Sequence, residues 1–161
     1  MKQTRWLGAV LRSGVWLAAS LWWAYLKKPS GGSILEVRAD AVGVLGGLLL
    51  VAGIGLHAWS NLTLAAAEVA TTGEQTDLVD GGPFRFVRNP IYLAGMPIFL
   101  GIYLLYGQWR ASDLVAALVL VASFHLLVTR REEPALRRRL GDKYEEYCRR
   151  VPRWIPTRSG G

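Results

Sequence analysis

Two short polar blocks carry the side chains best suited to chemistry in this 161-residue chain, Gly82-Pro-Phe-Arg-Phe-Val-Arg-Asn-Pro-Ile-Tyr92 and Arg130-Arg-Glu-Glu133. Each stands at the end of an apolar segment. Two crossings of a bilayer between them would return the second block to the side of the first, so Arg88 and the twin glutamates can share one site. An arginine fork can hold a carboxylate at two points. Glu132 or Glu133 can accept bonds from hydroxyls and from cationic groups. The single cysteine, Cys148, excludes an internal disulfide, and two histidines beside one cysteine argue against a structural zinc site.

The elements that must position these blocks follow from composition. Hydrophobic residues make up 52% of the chain, charged residues only 19%, and seven are Trp, which is unusual for a soluble protein of this length. The apolar residues lie in long runs. Leu7–Leu26 carries Arg12 as its one charge, while Ala41–Ala67, Pro90–Trp109 and Leu114–Thr129 carry none. A bilayer-crossing helix needs roughly 20 such residues. The chain therefore reads as an all-α integral membrane protein, a single domain over 1–161, with about four transmembrane helices at about 7–26, 41–64, 90–109 and 112–129. A C-terminal amphipathic interfacial helix follows at about 134–149. The first run is long, contains Arg12 and lacks a small-x-small cleavage site, so it is expected to remain as a span rather than leave as a signal peptide.

Lys and Arg set the orientation. Lys2, Arg5, Arg85, Arg88 and the basic residues after Val128 fall on one side, against Lys27, Lys28, Arg38 and Arg110 on the other. Both termini and the loop from Glu68 to Asn89 are thus expected in the cytoplasm, at a bacterial inner membrane or an endomembrane. The net charge of +7 is mostly this bias, together with an attraction to anionic membrane lipid, and does not call for nucleic acid.

Local signals refine this picture. Pro29-Ser-Gly-Gly-Ser33 is turn chemistry between the first two spans. Gly43 and Gly47 form a small-xxx-small pair for close helix approach, with Gly46, Gly53 and Gly55 also reducing bulk. Gly53-Ile-Gly55 lacks the preceding strand that a nucleotide-binding loop requires. His57 and His125 fall within spans, where an ionisable group suggests function, although a neutral histidine bonded to a neighbour is commoner. The stretch Glu68–Gly82 is turn-rich and suits either a connector or a lid. Asn89 suits a helix N-cap and Pro90 the first turn. Pro97, flanked by Gly95 and Gly101, is expected to kink the third span and open a cavity. From Pro134, Leu136, Leu140, Tyr144 and Tyr147 or Cys148 recur at helical spacing, a pattern that lies in the interface with its apolar side inward. That helix is expected to stop at Val151-Pro152, with Trp154 as an interfacial anchor.

The two blocks together resemble the isoprenylcysteine carboxyl methyltransferase and phospholipid methyltransferase group of integral membrane enzymes. Gly82–Tyr92 is similar to the pattern Gly-x-Tyr-x-x-Val-Arg-His-Pro-x-Tyr. Glu132-Glu-Pro-Ala-Leu136, Leu140-Gly141, Tyr144, Tyr147 and Val151-Pro152 are similar to Glu-Glu-x-x-Leu-x-x-x-Phe-Gly-x-x-Tyr-x-x-Tyr followed by Val-Pro. Asn89 stands where many members have His, Phe84 where Tyr is usual and Leu140 where Phe is usual. Asparagine keeps hydrogen bonding but does not titrate near neutrality.

The resemblance implies S-adenosylmethionine as cofactor, methyl transfer to a lipophilic acceptor, and a pocket at the cytoplasmic ends of spans three and four. It implies Arg88 and Glu133 as catalytic residues, with Arg88, Asn89, Pro90, Tyr92, Glu132, Glu133, Tyr144 and Tyr147 at the cofactor. The acceptor stays open among a prenylcysteine-type carboxylate, a phospholipid amine and a small hydrophobic molecule. Displacement of a methyl group from sulfonium depends on alignment and exclusion of water, so neither a covalent nucleophile nor a metal is required. Seen alone, the glutamates would sooner pair with Arg130, Arg131 or Arg137. Two other readings fit the sequence. One is an NADPH-dependent membrane reductase, since Lys143–Pro152 also looks like the terminal region of sterol reductases. The other is a small non-enzymatic membrane protein.

Overall fold

The computed structural model describes residues 22, 25, 37–70, 78–106 and 111–155. The expected first span lies outside them apart from Trp22 and Tyr25. Among the described residues the secondary structure is helical throughout: α1 (Ala41–Ala70), a 3-10 turn (Gly82–Arg85), α2 (Pro90–Tyr106), α3 (Ala111–Leu127), a π turn (Val128–Glu132), α4 (Glu133–Leu140) and α5 (Asp142–Arg150). The chain divides into two compact units, Met1–Asn61 with Leu93–Gln108 and Leu62–Tyr92 with Trp109–Gly161.

In the first unit, Asp40 starts α1. Its carboxylate accepts from the Gly43 N–H at 2.9 Å, satisfying an amide that the first helical turn leaves without a carbonyl. Arg38 pairs with the same carboxylate and holds it well below its ordinary range, at about 2. Glycine lets α1 and α2 meet backbone to backbone. A Cβ on Gly46 would lie 2.8 Å from the Gly101 carbonyl oxygen, and one on Gly53 would lie 2.9 Å from that of Ala94. The packing pair is therefore Gly46 and Gly53, not Gly43 and Gly47. Positions seven apart fall on one helix face, whereas a Cβ on Gly47 meets nothing within 4 Å. Ile98 and Ile102 are buried there with Leu50 and Tyr106 against them. The helix α2 runs unbroken past Pro97.

The first helix extends to Ala70, six residues beyond the expected end of the second span and into the expected loop from Glu68. Ala65, Ala66 and Ala67 have the highest helix propensity, which sustains the helix after its strongly apolar part ends. The other ends agree more closely. The expected third and fourth segments coincide with α2, which begins at Pro90, and α3, which covers Ala111–Leu127.

In the second unit, the expected single helix at 134–149 is two helices. Gly141 separates them at φ 55°, ψ −131°, a conformation that glycine adopts without a Cβ penalty. Its N–H donates to the Arg137 carbonyl and closes α4, while its own carbonyl accepts from Tyr144 and opens α5. The apolar spacing runs through this bend, which conceals it in the sequence. Tyr144, Tyr147 and Val151 form a buried cluster with Leu78, Leu136, Leu140 and Cys148 packed on it. The apolar side of the two helices, expected to face inward, packs through Leu136 and Leu140 on this cluster. Gly82, at φ 54°, lies so close to Thr63 that a Cβ would fall 2.5 Å from its hydroxyl.

Candidate active site

The second unit brings the two polar blocks together around a cavity of about 150 Å³. Its wall includes Arg88 and Asn89 from the corner before α2, Glu132 and Glu133 from the end of the π turn and the start of α4, and Tyr144 and Tyr147 from α5. Of the expected site residues, six therefore line one space. Pro90 is fully buried at the start of α2 and is not on the wall. Tyr92 stands beside the wall, its hydroxyl donating to Glu132 Oε1 at 2.5 Å and its ring packed against Phe124. Arg85 stacks on the Phe86 ring and does not line the cavity.

The π turn explains how two consecutive glutamates both reach this region. The Glu133 N–H bonds to the Val128 carbonyl, a five-residue closure instead of the α-helical four, and such turns are frequent at functional sites. Glu132 goes to Tyr92. Glu133, only 1% exposed, goes to arginines. Arg153 grips it with two bonds of 2.7 Å, Arg88 lies at 3.2 Å and Arg137 at 3.6 Å. Burial pushes the Glu133 carboxyl up, but the Arg153 hydrogen bonds and the charges of Arg88, Arg153 and Arg137 more than offset it and hold it below its ordinary value.

Other bonds fix the corner before α2. The Arg88 N–H donates to the Pro152 carbonyl at 2.9 Å, and the Asn89 side-chain amide donates to the Arg153 carbonyl at 3.2 Å. Arg88 Nη1 contacts Cys148 Sγ at 2.6 Å, while Arg88 Nε is buried with no acceptor. The Tyr147 hydroxyl donates to the Phe84 carbonyl at 2.7 Å, so this phenol is a tie as well as a wall. Burial, followed by the Glu133 charge, pushes Tyr144 up to about 12, and burial raises Tyr147 as well. At neutral pH both present an apolar ring and a neutral tip.

Sequence reasoning missed two arginines. Arg153 directly follows Val151-Pro152 and precedes Trp154, whose indole donates to His125 Nδ1 at 3.2 Å. Arg139 lines the cavity from within the Arg137-Arg-Arg139 run. Its place one residue before Leu140 was the available signal.

The family model of the phospholipid methyltransferases matches residues 42–143. The chain belongs to the phospholipid methyltransferase family, a class of methyltransferase enzymes. It is similar to a protein-S-isoprenylcysteine O-methyltransferase of Schizosaccharomyces pombe (strain 972 / ATCC 24843), with 38% identity over 79 residues, covering 49% of this chain and 33% of the relative. The chain thus matches about a third of the length of that curated relative. No solved structure matches it.

Proposed function

We propose that this chain is an integral membrane methyltransferase that passes a methyl group from S-adenosylmethionine to a lipophilic acceptor at the cytoplasmic face. The observation that carries the reading is the cavity wall itself. Arg88 Nε is buried without an acceptor, Arg139 has no acidic partner among the described residues, and Glu132 has no basic one. Bonding capacity of both signs left over beside one cavity suits a zwitterion such as the methionine end of this cofactor: Arg88 Nε or Arg139 for its carboxylate, Glu132 for its ammonium group. Pockets for drug-sized ligands measure about 300–1,000 Å³, so the present cavity accommodates part of the cofactor and must widen to take it all.

When bound, S-adenosylmethionine supplies an electrophilic methyl group on its sulfonium. The chain's own residues orient and enclose. Arg88, Asn89, Glu132 and Arg139 supply polar contacts, Glu133 holds Arg88 in place, and Tyr92 steadies Glu132. Pro90 fixes the start of α2. Tyr144, Tyr147, Leu136 and Leu140 exclude water from the transfer, which strengthens the polar contacts. Glu133 is committed to guanidinium groups and Asn89 does not titrate near neutrality, so neither is a ready base. An acceptor that is already nucleophilic, such as a carboxylate, fits best. A prenylcysteine-type carboxylate also agrees with the name of the fission yeast relative, ahead of a phospholipid amine or a small hydrophobic molecule.

Membrane insertion is supported by α1. Ala41–Ala67 is long and apolar enough to cross a bilayer, with a mean hydropathy of 2.0 and only 17% of its apolar window buried by the protein. Val44, Leu48, Val51 and Leu62 are exposed on it, as are Val115, Leu118 and Val119 on α3. Lipid is the medium that covers such faces at least cost. Its 30 residues span about 45 Å at 1.5 Å each, so the last turns emerge from an apolar core roughly 30 Å thick. We place four spans in one membrane domain with both termini cytoplasmic, and anionic lipid against the exposed Arg130, Arg131, Arg138 and Arg149.

Calorimetry of the purified protein with S-adenosylhomocysteine tests the cofactor. Binding that is lost in Arg88→Ala supports the proposal; binding of NADPH alone would overturn it in favour of a reductase. Transfer of labelled methyl groups to prenylcysteine analogues and to membrane lipid extracts then identifies the acceptor.

A further inference from the structure

We infer that Arg153 is a positioning residue for Arg88, acting through Glu133. The inference rests on the proposed role of Arg88 in holding the cofactor. Arg153 is not among the residues that line the cavity, and its side chain is 32% exposed. It therefore touches no ligand in that space. What it touches is both oxygens of Glu133, through Nε and Nη2 at 2.7 Å each. Two parallel bonds leave the carboxylate no rotational freedom. Glu133 Oε1, fixed in this way, lies 3.2 Å from Arg88 Nη1, which also meets Cys148 Sγ at 2.6 Å, and anchors that end of the guanidinium beside the cavity.

The backbone around Arg153 serves the same end. Pro152 accepts from the Arg88 N–H and Arg153 from the Asn89 amide, so one short tail segment fixes both the main chain and the side chain of the corner before α2. Arg137 cannot substitute for Arg153. It reaches Glu133 by one contact at 3.6 Å and directs its Nε to Glu145 at 2.8 Å. A lysine at position 153 would keep the charge but supply a point contact in place of the fork, so the two residues separate orientation from neutralisation.

The test measures S-adenosylhomocysteine affinity, kcat and the KM for S-adenosylmethionine in Arg153→Lys, Glu133→Gln and the double variant. Arg153→Lys is expected to weaken cofactor affinity and raise that KM by on the order of 10-fold, with kcat at saturating cofactor close to wild type, because misplacement of a binding group is felt chiefly at the ligand. The double variant is expected to bind no more weakly than the weaker single variant, since Arg153 acts only through Glu133. A purely structural role would lower kcat through loss of folded protein and leave both affinity and KM unchanged; that result overturns the inference, as does a double variant whose losses multiply. Should Arg153→Lys not fold, Glu133→Gln is compared with Glu133→Gln carrying Arg153→Gln, where neither side of the fork is charged. Equal affinities support the inference and a further loss overturns it. If wild type binds no S-adenosylhomocysteine, the cofactor reading falls and the inference with it. If wild type binds, Arg88→Ala does not, and the Arg153 variants match wild type, the inference alone falls.

Discussion

Arg153 and Glu133, twenty residues apart, meet fork to fork with both nitrogen-to-oxygen distances at 2.7 Å. The carboxylate is almost wholly buried, so these bonds stand in for the water it has lost. Arg88 and Arg137 complete a group in which one anion serves three guanidinium groups. Replacing Glu133 by Ala leaves those charges facing one another. The expected loss is about 3–5 kcal/mol, the usual cost of breaking a buried ion pair by removing one partner. Chemical unfolding in detergent, followed by circular dichroism, checks this; a loss below 1 kcal/mol would show that water replaces the carboxylate.

Acid should act on the same group. Glu133 is held below its ordinary value of 4.5, so the folded state favours its charged form. Its contribution to stability is present in full above pH 4.5 and is lost as pH falls through the lower folded value. Melting temperatures taken between pH 7 and pH 3 are expected to show an acid-side loss that is smaller in Glu133→Gln than in wild type.

Alkali should act on the tyrosines with the opposite sign. Tyr144 is raised from 10 to about 12, and Tyr147 is raised too. The neutral phenols favour the fold; that contribution is intact below pH 10 and declines as pH rises toward 12. Ultraviolet titration should show two phenols that ionise late and together with unfolding, and Tyr144→Phe should remove one of them.

Close helix approach in the first unit predicts a sharp contrast between neighbouring glycines. Gly53→Ala places a Cβ 2.7 Å from Ile98 Cγ1 and 2.9 Å from the Ala94 oxygen, whereas Gly47→Ala meets nothing within 4 Å. Overpacking of this kind costs about 1–3 kcal/mol. Thermal unfolding of the two variants should separate them clearly, with Gly47→Ala neutral or slightly stabilising through helix propensity.

The bend between α4 and α5 offers a separate test. Gly141→Ala forces a Cβ into φ 55°, ψ −131°, a strain worth about 1–3 kcal/mol. The variant is expected to melt earlier and to bind cofactor less well, because Leu140 and Tyr144 on either side of the bend both line the cavity. An unchanged melting temperature would mean that the two helices merge into one without penalty.

Much of this arrangement was legible in the chain. Charge-free runs located α1, α2 and α3, because a long uninterrupted apolar run is a strong and simple pattern, and the Arg88 and Glu132–Glu133 blocks stand at the ends of those runs where the cavity forms. The bend at Gly141 was not legible, since Leu136, Leu140, Tyr144 and Tyr147 keep helical spacing across it. The glycines of the helix contact were visible as a group, but the face in use depends on the partner helix, which selects Gly46 and Gly53 over Gly43 and Gly47. Arg153 escaped notice because its importance is tertiary: only folding brings the tail back to the carboxylate that it holds.

The π turn at Val128–Glu132 bears on what variation this region tolerates. It is in effect one surplus residue lodged in an otherwise ordinary helix, and that surplus turns the second of two adjacent carboxylates inward as well. Shortening the chain by one position there would restore regular winding and rotate everything after it out of step with everything before. Length at this point is therefore as constrained as residue identity, and single-residue deletions between Val128 and Glu132 should be far more damaging than substitutions at the same places.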